Sequence, residues 1–333
     1  MSLAQLARMT ESTAVVVRPR RFMSDTRSDA WGYFCGCVLA PGASVSFASA
    51  RAGVVAGLSP LDLILMRFGV SGLVLLPFLV RCGLSDLAGI GWGRGLILTT
   101  LGGPGFALMQ VGGYAFSPLA HGAVIHPASV TIISTGIAAV LLKERLSRAH
   151  LAGAAMVIAD IVLISWQGLH ADTGAKSWIG DLLFFTSAII WAGFTILVRH
   201  WRLHAVRAIA VVSVMSMLMI LPVCLGWYGL AHFLARPRDA MAIQALVQGF
   251  GQGVLAMIAY SQAVRVLGVS RAVLFPAMVP AVSILIGVPI VGEIPNSIQI
   301  AGLLLVTIGL MGAIGVFRRW TAVSKKPCPA AAN

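Results

Sequence analysis

Apolar residues run almost unbroken through about ten windows of the chain, and the short stretches between them carry most of its Lys and Arg. A helix needs roughly 20 apolar residues to cross the hydrocarbon core of a bilayer, so each window predicts a membrane-spanning helix. The predicted spans are Trp31 to Ala50, Leu58 to Val80, Gly91 to Ala115, His121 to Leu142, Ala149 to Gln167, Ser177 to Val198, Arg207 to Tyr228, Ala242 to Val264, Arg271 to Val291 and Ser297 to Phe317. They divide into five and five. The expected organisation is a disordered basic tail over 1–30, a first five-helix repeat over 31–167, a second over 177–317, and a short cytoplasmic tail over 318–333.

The two sets share a plan. The stretch from Ala123 to Gly153 reappears 149 residues later as Ala272 to Gly302, placing Pro127 on Pro276, Ser134 on Ser283, Glu144 on Glu293 and Gly153 on Gly302 without a gap. With five spans per unit, the second copy must enter the membrane from the opposite side, so the repeat is expected to be inverted. Glu144 then belongs at the cytoplasmic end of its helix and Glu293 at the outer end of its own. Paired units of this kind are how many secondary transporters build a site that opens to either side in turn.

Composition agrees with a bilayer protein: 58% of the residues are hydrophobic and 11% charged, with mean hydropathy +0.92. A water-soluble globule of 333 residues would need more polar surface. The net charge of +13 would suit nucleic acid, but its placement points to membrane topology. With the N-terminus inside, nineteen Lys and Arg fall on cytoplasmic segments, only Arg51, Lys176, Arg236 and Arg238 fall outside, and Arg67 lies within the bilayer. The positive-inside rule therefore orients both termini toward the cytoplasm, with the lipid bilayer as partner and no nucleic acid; a homodimer is allowed. Cys35, Cys37, Cys82, Cys224 and Cys328 have no metal-ligand spacing with nearby histidines, so they read as core residues or free thiols, and neither metal nor cofactor is expected. No cleavable leader is visible before Trp31, and Met23 is an alternative start to Met1.

Short patterns in a fixed order add a resemblance. Ser59-Pro60 followed by Arg67, Tyr114-Ala115 leading to Ala123 and Pro127, then Glu144-Arg145-Leu146 and Gly153, resemble the EamA-type module of the drug/metabolite transporter (DMT) superfamily. The second half is similar through Gly180-Asp181, Trp191-Ala192, Val198-Arg199, Gln262-Ala263, Pro276, Gly292-Glu293 and Gly302. The resemblance implies an all-α bundle of ten helices as an inverted pair of five-helix units, moving small organic solutes across the inner membrane. The second unit departs from the first, because the span around Val211 to Pro222 lacks the Pro and Arg seen at Pro60 and Arg67, and Gly292 replaces Lys143.

The candidate solute-binding residues are the polar and aromatic groups within the spans: Gln248, Gln252, His126, Gln110, Trp191, Tyr260 and Arg67. Arg67 lies about 13 Å from the outer end of its span, where a charge rarely faces lipid. It either ties to Asp160, at a similar depth of about 10 Å, or holds a solute carboxylate through its planar fork of donors. Asp160 reads as the only carboxylate well inside a span; unpaired, it would be free to carry a proton during transport. Gln244, Gln248 and Gln252 recur every four residues with Gly249, Gly251 and Gly253 between them, and Tyr260 lies two turns further near the same face. This stripe either lines a water-filled cavity or bonds neighbouring helices. Pro127 and Pro276 mark helix kinks, each removing a backbone donor and freeing a carbonyl, with His126 just before the first. Gly102-Gly103-Pro104-Gly105 lacks the preceding strand and following Lys of a phosphate loop, so it predicts a kinked segment.

The combined expectation is a secondary carrier for metabolite or amino-acid type solutes, working as an exporter, and not an enzyme. The rival is a membrane-embedded enzyme or an accessory subunit, which would need a converging acid, base, nucleophile or metal cluster that the sequence lacks.

Overall fold

The computed structural model describes residues 26–142, 176–267 and 274–313, together with positions 151, 152, 155, 156, 158, 159 and 162 of the fifth predicted span. The regular structure among the described residues is helical, with no strand among them. Helix α1 is Thr26–Val55, α2 Pro60–Cys82, α3 Trp92–Gly102, α4 Pro104–Gly113, α5 Leu119–Leu142, α6 Ser177–His200 and α7 Ala205–Ala235. Then follow α8 (Arg238–Gln244), a π-helical segment (Ala245–Ala256), α9 (Met257–Leu267), α10 (Leu274–Ala277), α11 (Val279–Val291) and α12 (Ser297–Ala313). Among the described residues, six helical segments are long and apolar enough to cross a membrane, and three shorter apolar helices accompany them.

Local chemistry explains the ends and breaks. Helix α2 opens with Ser59 as N-cap: its hydroxyl accepts from the Asp62 amide while the Asp62 carboxylate accepts from the Ser59 amide, with Pro60 at the first helical position. The glycine-rich kink expected in the third span is a break at Gly103, where Pro104 starts α4. Gly103 suits the break because a Cβ there would lie 2.3 Å from the Thr99 carbonyl. Pro127 sits inside an unbroken α5, whereas Pro276 lies in the short α10, which ends in a turn at Met278 before α11 begins.

Helices of one half pack mainly against helices of the other. The most extensive contacts are α2 with α7, α1 with α11, α5 with α6, α1 with α9, and α2 with the π-helical segment. Small residues permit this closeness. A Cβ on Gly249 would lie 2.5 Å from Val70 Cβ, one on Gly253 2.7 Å from Ser71 Cβ, and one on Gly180 2.2 Å from Ser117 Oγ. Two main apolar clusters result. One gathers Ile64, Phe68, Leu98, Phe106 and Val211 around α2, α3 and α7; the other gathers Ala48, Tyr114, Val124, Phe184 and Val306 around α1, α5 and α6. Exposed Leu, Ile and Trp, among them Leu73, Trp227 and Leu285, cover the outside, as lipid-facing side chains do.

Candidate functional site

A cavity of about 250 Å³ lies where α1, α2, α4, α5, α6, the π-helical segment and α9 to α11 converge. Its wall takes Arg67, Gln110 and His126 from the first half and Trp191 and Gln252 from the second, and includes Pro127 and Pro276. The structure thus brings together most of the residues singled out from the sequence. It adds Ser46 and Phe47 on α1, Phe106 on α4 and Thr131 on α5. An aromatic residue in an apolar span carries no sequence signal separating a cavity wall from packing, which is why Phe47 and Phe106 were missed.

The glutamine stripe divides. Gln244 donates to the Ser49 carbonyl at 2.7 Å, and Gln248 both donates to the Ser46 carbonyl and accepts from the Ser46 hydroxyl, each at 2.7 Å. These two bond the π-helical segment to α1. Gln252 alone faces the cavity, and its buried Oε1 has no hydrogen-bond partner among the described residues. The segment is a π-helix rather than the α-helix on which the four-residue spacing was read, and such irregular turns recur at functional sites. Tyr260 does not join the stripe at the cavity: it packs with Cys35, Ala259 and Ala263 against α1.

Arg67 is buried at the cavity wall. Its Nη1 donates to Gln110 Oε1 at 3.4 Å, and its guanidinium lies 5.6 Å from the Phe106 ring centre and 5.8 Å from that of Phe68. No carboxylate pairs with it among the described residues; Asp160, its expected partner, lies outside them. His126 bonds through Nδ1 to Ser187 Oγ at 2.8 Å, and that hydroxyl donates to the Phe184 carbonyl at 2.7 Å. The serine proton is therefore committed, so His126 Nδ1 is the donor and Nε2 carries the lone pair when the ring is neutral. Trp191 stacks obliquely on Phe106, centroids 4.7 Å apart, and on Phe194 at 5.0 Å.

Three polar networks sit at one end of the bundle. Glu293 accepts from Arg51 Nε at 2.7 Å and from the Leu119 amide at 2.8 Å, while Arg51 also donates to the Tyr114 carbonyl. Asp62, fully buried, meets His232 at 3.1 Å and Arg236 at 3.4 Å. Asp181 meets His121 Nδ1 at 2.7 Å and accepts from Ser117 at 3.2 Å. Asp62 and Asp181 are further buried carboxylates, both near span ends, where a carboxylate looks interfacial in sequence. At the opposite end Arg94 lies over the Trp201 ring and Arg207 donates to the Ala88 carbonyl.

Ser117, His121 and Asp181 resemble the parts of a hydrolytic triad in the wrong order. Both serine and histidine address the same carboxylate oxygen, which leaves the imidazole without a bond to the serine that it would have to activate. Among the described residues no three His, Cys, Asp or Glu converge as metal ligands.

The comparisons with known proteins point one way. The profile of the EamA-like transporter family matches residues 30–166 and again 178–315. The "Uncharacterized transporter YyaM" of Bacillus subtilis is 24% identical over 235 residues, covering 67% of this chain and 73% of that protein. The "Probable terminal-alkyne amino-acid exporter" of Streptantibioticus cattleyicolor is 24% identical over 190 residues, 57% of this chain and 60% of that protein's length. A solved crystal structure superimposes with TM-score 0.61 over 89% of this chain and 99% of its own, at 19% identity, a likeness of fold alone.

Proposed function

Because the chain belongs to the EamA-like transporter family, we propose that it is a secondary carrier of small organic solutes, in which two inverted five-helix units, 31–167 and 177–317, open a shared cavity alternately to either side. The observation that carries this reading is a cavity whose wall takes side chains from both halves, Arg67, Gln110 and His126 together with Trp191 and Gln252.

The pattern of helix packing supports two equivalent units. Exchanging the halves maps the contact of α1 with α11 onto that of α6 with α5, and the contact of α1 with the π-helical segment onto that of α6 with α4. Antiparallel duplication requires such exchange. The joined residues support the topology as well: Arg51, Glu293, Asp62, Arg236 and Asp181, all assigned to the outer side, fall into networks with one another or their neighbours. In this frame both termini face the cytoplasm, and the ion pairs among the described residues fasten the outer end. The relative described as a probable amino-acid exporter favours export of an amino-acid type metabolite across the inner membrane.

The enzyme reading finds no support in the Ser117, His121 and Asp181 geometry. Purified protein in proteoliposomes tests the proposal: time-dependent movement of a solute down its gradient, abolished by boiling and absent from empty vesicles, is expected. Chemical conversion of solutes without their movement would refute it.

A further inference from the structure

Resting on the carrier reading, we propose that the cavity takes a small carboxylic acid with a hydrogen-bond donor beside its carboxylate, an α-amino or α-hydroxy acid, and with an apolar body. Arg67 is the one formally charged side chain on the described wall. A guanidinium offers five N–H donors, and Arg67 uses one of them in a long bond to a neutral amide. Gln110 leaves the charge uncompensated, and an uncompensated charge at this depth is costly. An arriving carboxylate supplies both the compensation and a geometry that the planar fork matches.

The rest of the wall sets the remainder of the solute. Gln252 Oε1 is a buried acceptor without a partner, and His126, committed through Nδ1 to Ser187, offers a lone pair at Nε2 in its neutral form. These acceptors call for a donor on the solute, because a buried acceptor left unpaired costs free energy. Phe47, Phe106, Trp191 and Met257 present apolar and aromatic surface for the body, and the hydroxyls of Ser46 and Thr131 are already bonded to Gln248 and the Pro127 carbonyl. The volume, about 250 Å³, falls below the roughly 300–1,000 Å³ of sites for drug-sized ligands, which fits a metabolite. A simple amine would be repelled by Arg67, and a dicarboxylate would bring a second charge that no described wall residue meets.

A matched series with one branched body separates these features: L-leucine, 2-hydroxy-4-methylpentanoate, 4-methylpentanoate, leucinamide and isopentylamine. Thermal unfolding of the purified full-length protein reads binding, since a ligand stabilises the fold by mass action, and proteoliposome flux reads movement. The expected order is leucine and the hydroxy acid strongest, 4-methylpentanoate at least about tenfold weaker, and no effect of leucinamide or isopentylamine. Gln252→Leu should erase the advantage of the two donor-bearing acids over 4-methylpentanoate, and Arg67→Gln should weaken all three acids by about tenfold or more. Leucine without the hydroxy acid, or the reverse, identifies which donor is taken. Leucinamide or isopentylamine acting as well as leucine, or no compound acting at all, overturns the inference. Flux of leucinamide would do so while leaving the carrier reading intact. Should Arg67→Gln fail to fold, the wild-type series decides by itself; rescue of that fold by adding Asp160→Asn would make Arg67 a structural tie and also overturn it.

Discussion

Arg51 and Glu293 stand 242 positions apart in the chain, yet their side chains meet at 2.7 Å and join the end of α1 to the end of α11. Glu293 follows Gly292, whose left-handed backbone (φ 76°) ends α11 and turns the carboxylate toward its neighbours. The second carboxylate oxygen holds the first amide of α5, an orphan donor of that helix, so one side chain fastens three helices at a single end of the bundle.

Glu293→Gln keeps the shape of this clasp and removes its charge. The variant is expected to lose about 1–2 kcal/mol of stability, since a hydrogen bond to a charged partner contributes about that much. Labelling of a cysteine placed at Thr131, on the cavity wall, from the outer side should become faster. Unchanged labelling would mean that the clasp does not control access.

Gln248 and Gln252 should part company under substitution. Gln248→Leu removes two bonds to Ser46 and should lower stability by about 1 kcal/mol while leaving the preference among solutes as it was. Gln252→Leu removes an acceptor that has no partner, so it should leave the melting temperature nearly unchanged and alter the flux. Reversed outcomes would move the site from Gln252 to Gln248.

Close helix contact predicts a contrast between two glycines. Gly180→Ala drives a Cβ to 2.2 Å from Ser117 Oγ and 2.7 Å from the Gly113 carbonyl, and should cost about 1–3 kcal/mol through overpacking. Gly136, on α5, has open space around it, so Gly136→Ala should be neutral or slightly stabilising through helix propensity. Equal melting temperatures for the two variants would show that α6 does not pack against Ser117 as closely as described.

Six of the apolar segments read from the sequence are helices long enough to cross a membrane among the described residues, and they were legible because membrane spans are written as long uninterrupted runs. Sequence reasoning also found Gly103-Pro104, whose residue types leave the backbone little choice. What it missed depends on partners far along the chain. A four-residue spacing of Gln244, Gln248 and Gln252 cannot distinguish an α-helix from the π-helical segment, nor say that two amides face Ser49 and Ser46 while the third faces a cavity. Tyr260, grouped with the stripe by spacing, packs elsewhere for the same reason. Asp62 and Asp181 were passed over because carboxylates near span ends normally meet water, and their burial with His232, Arg236 and His121 arises only on assembly. Phe47 and Phe106 carried no polar signal at all.

The most direct test of alternating access is a reversible lock on the outer clasp. In a background without the native cysteines, Arg51→Cys and Glu293→Cys are joined by a short bifunctional thiol reagent with a cleavable link, and solute flux is followed in proteoliposomes before joining, after it and after cleavage. Alternating access predicts that flux stops when the two ends are tied and returns when the link is cut. Flux that continues undiminished with the link in place would contradict it.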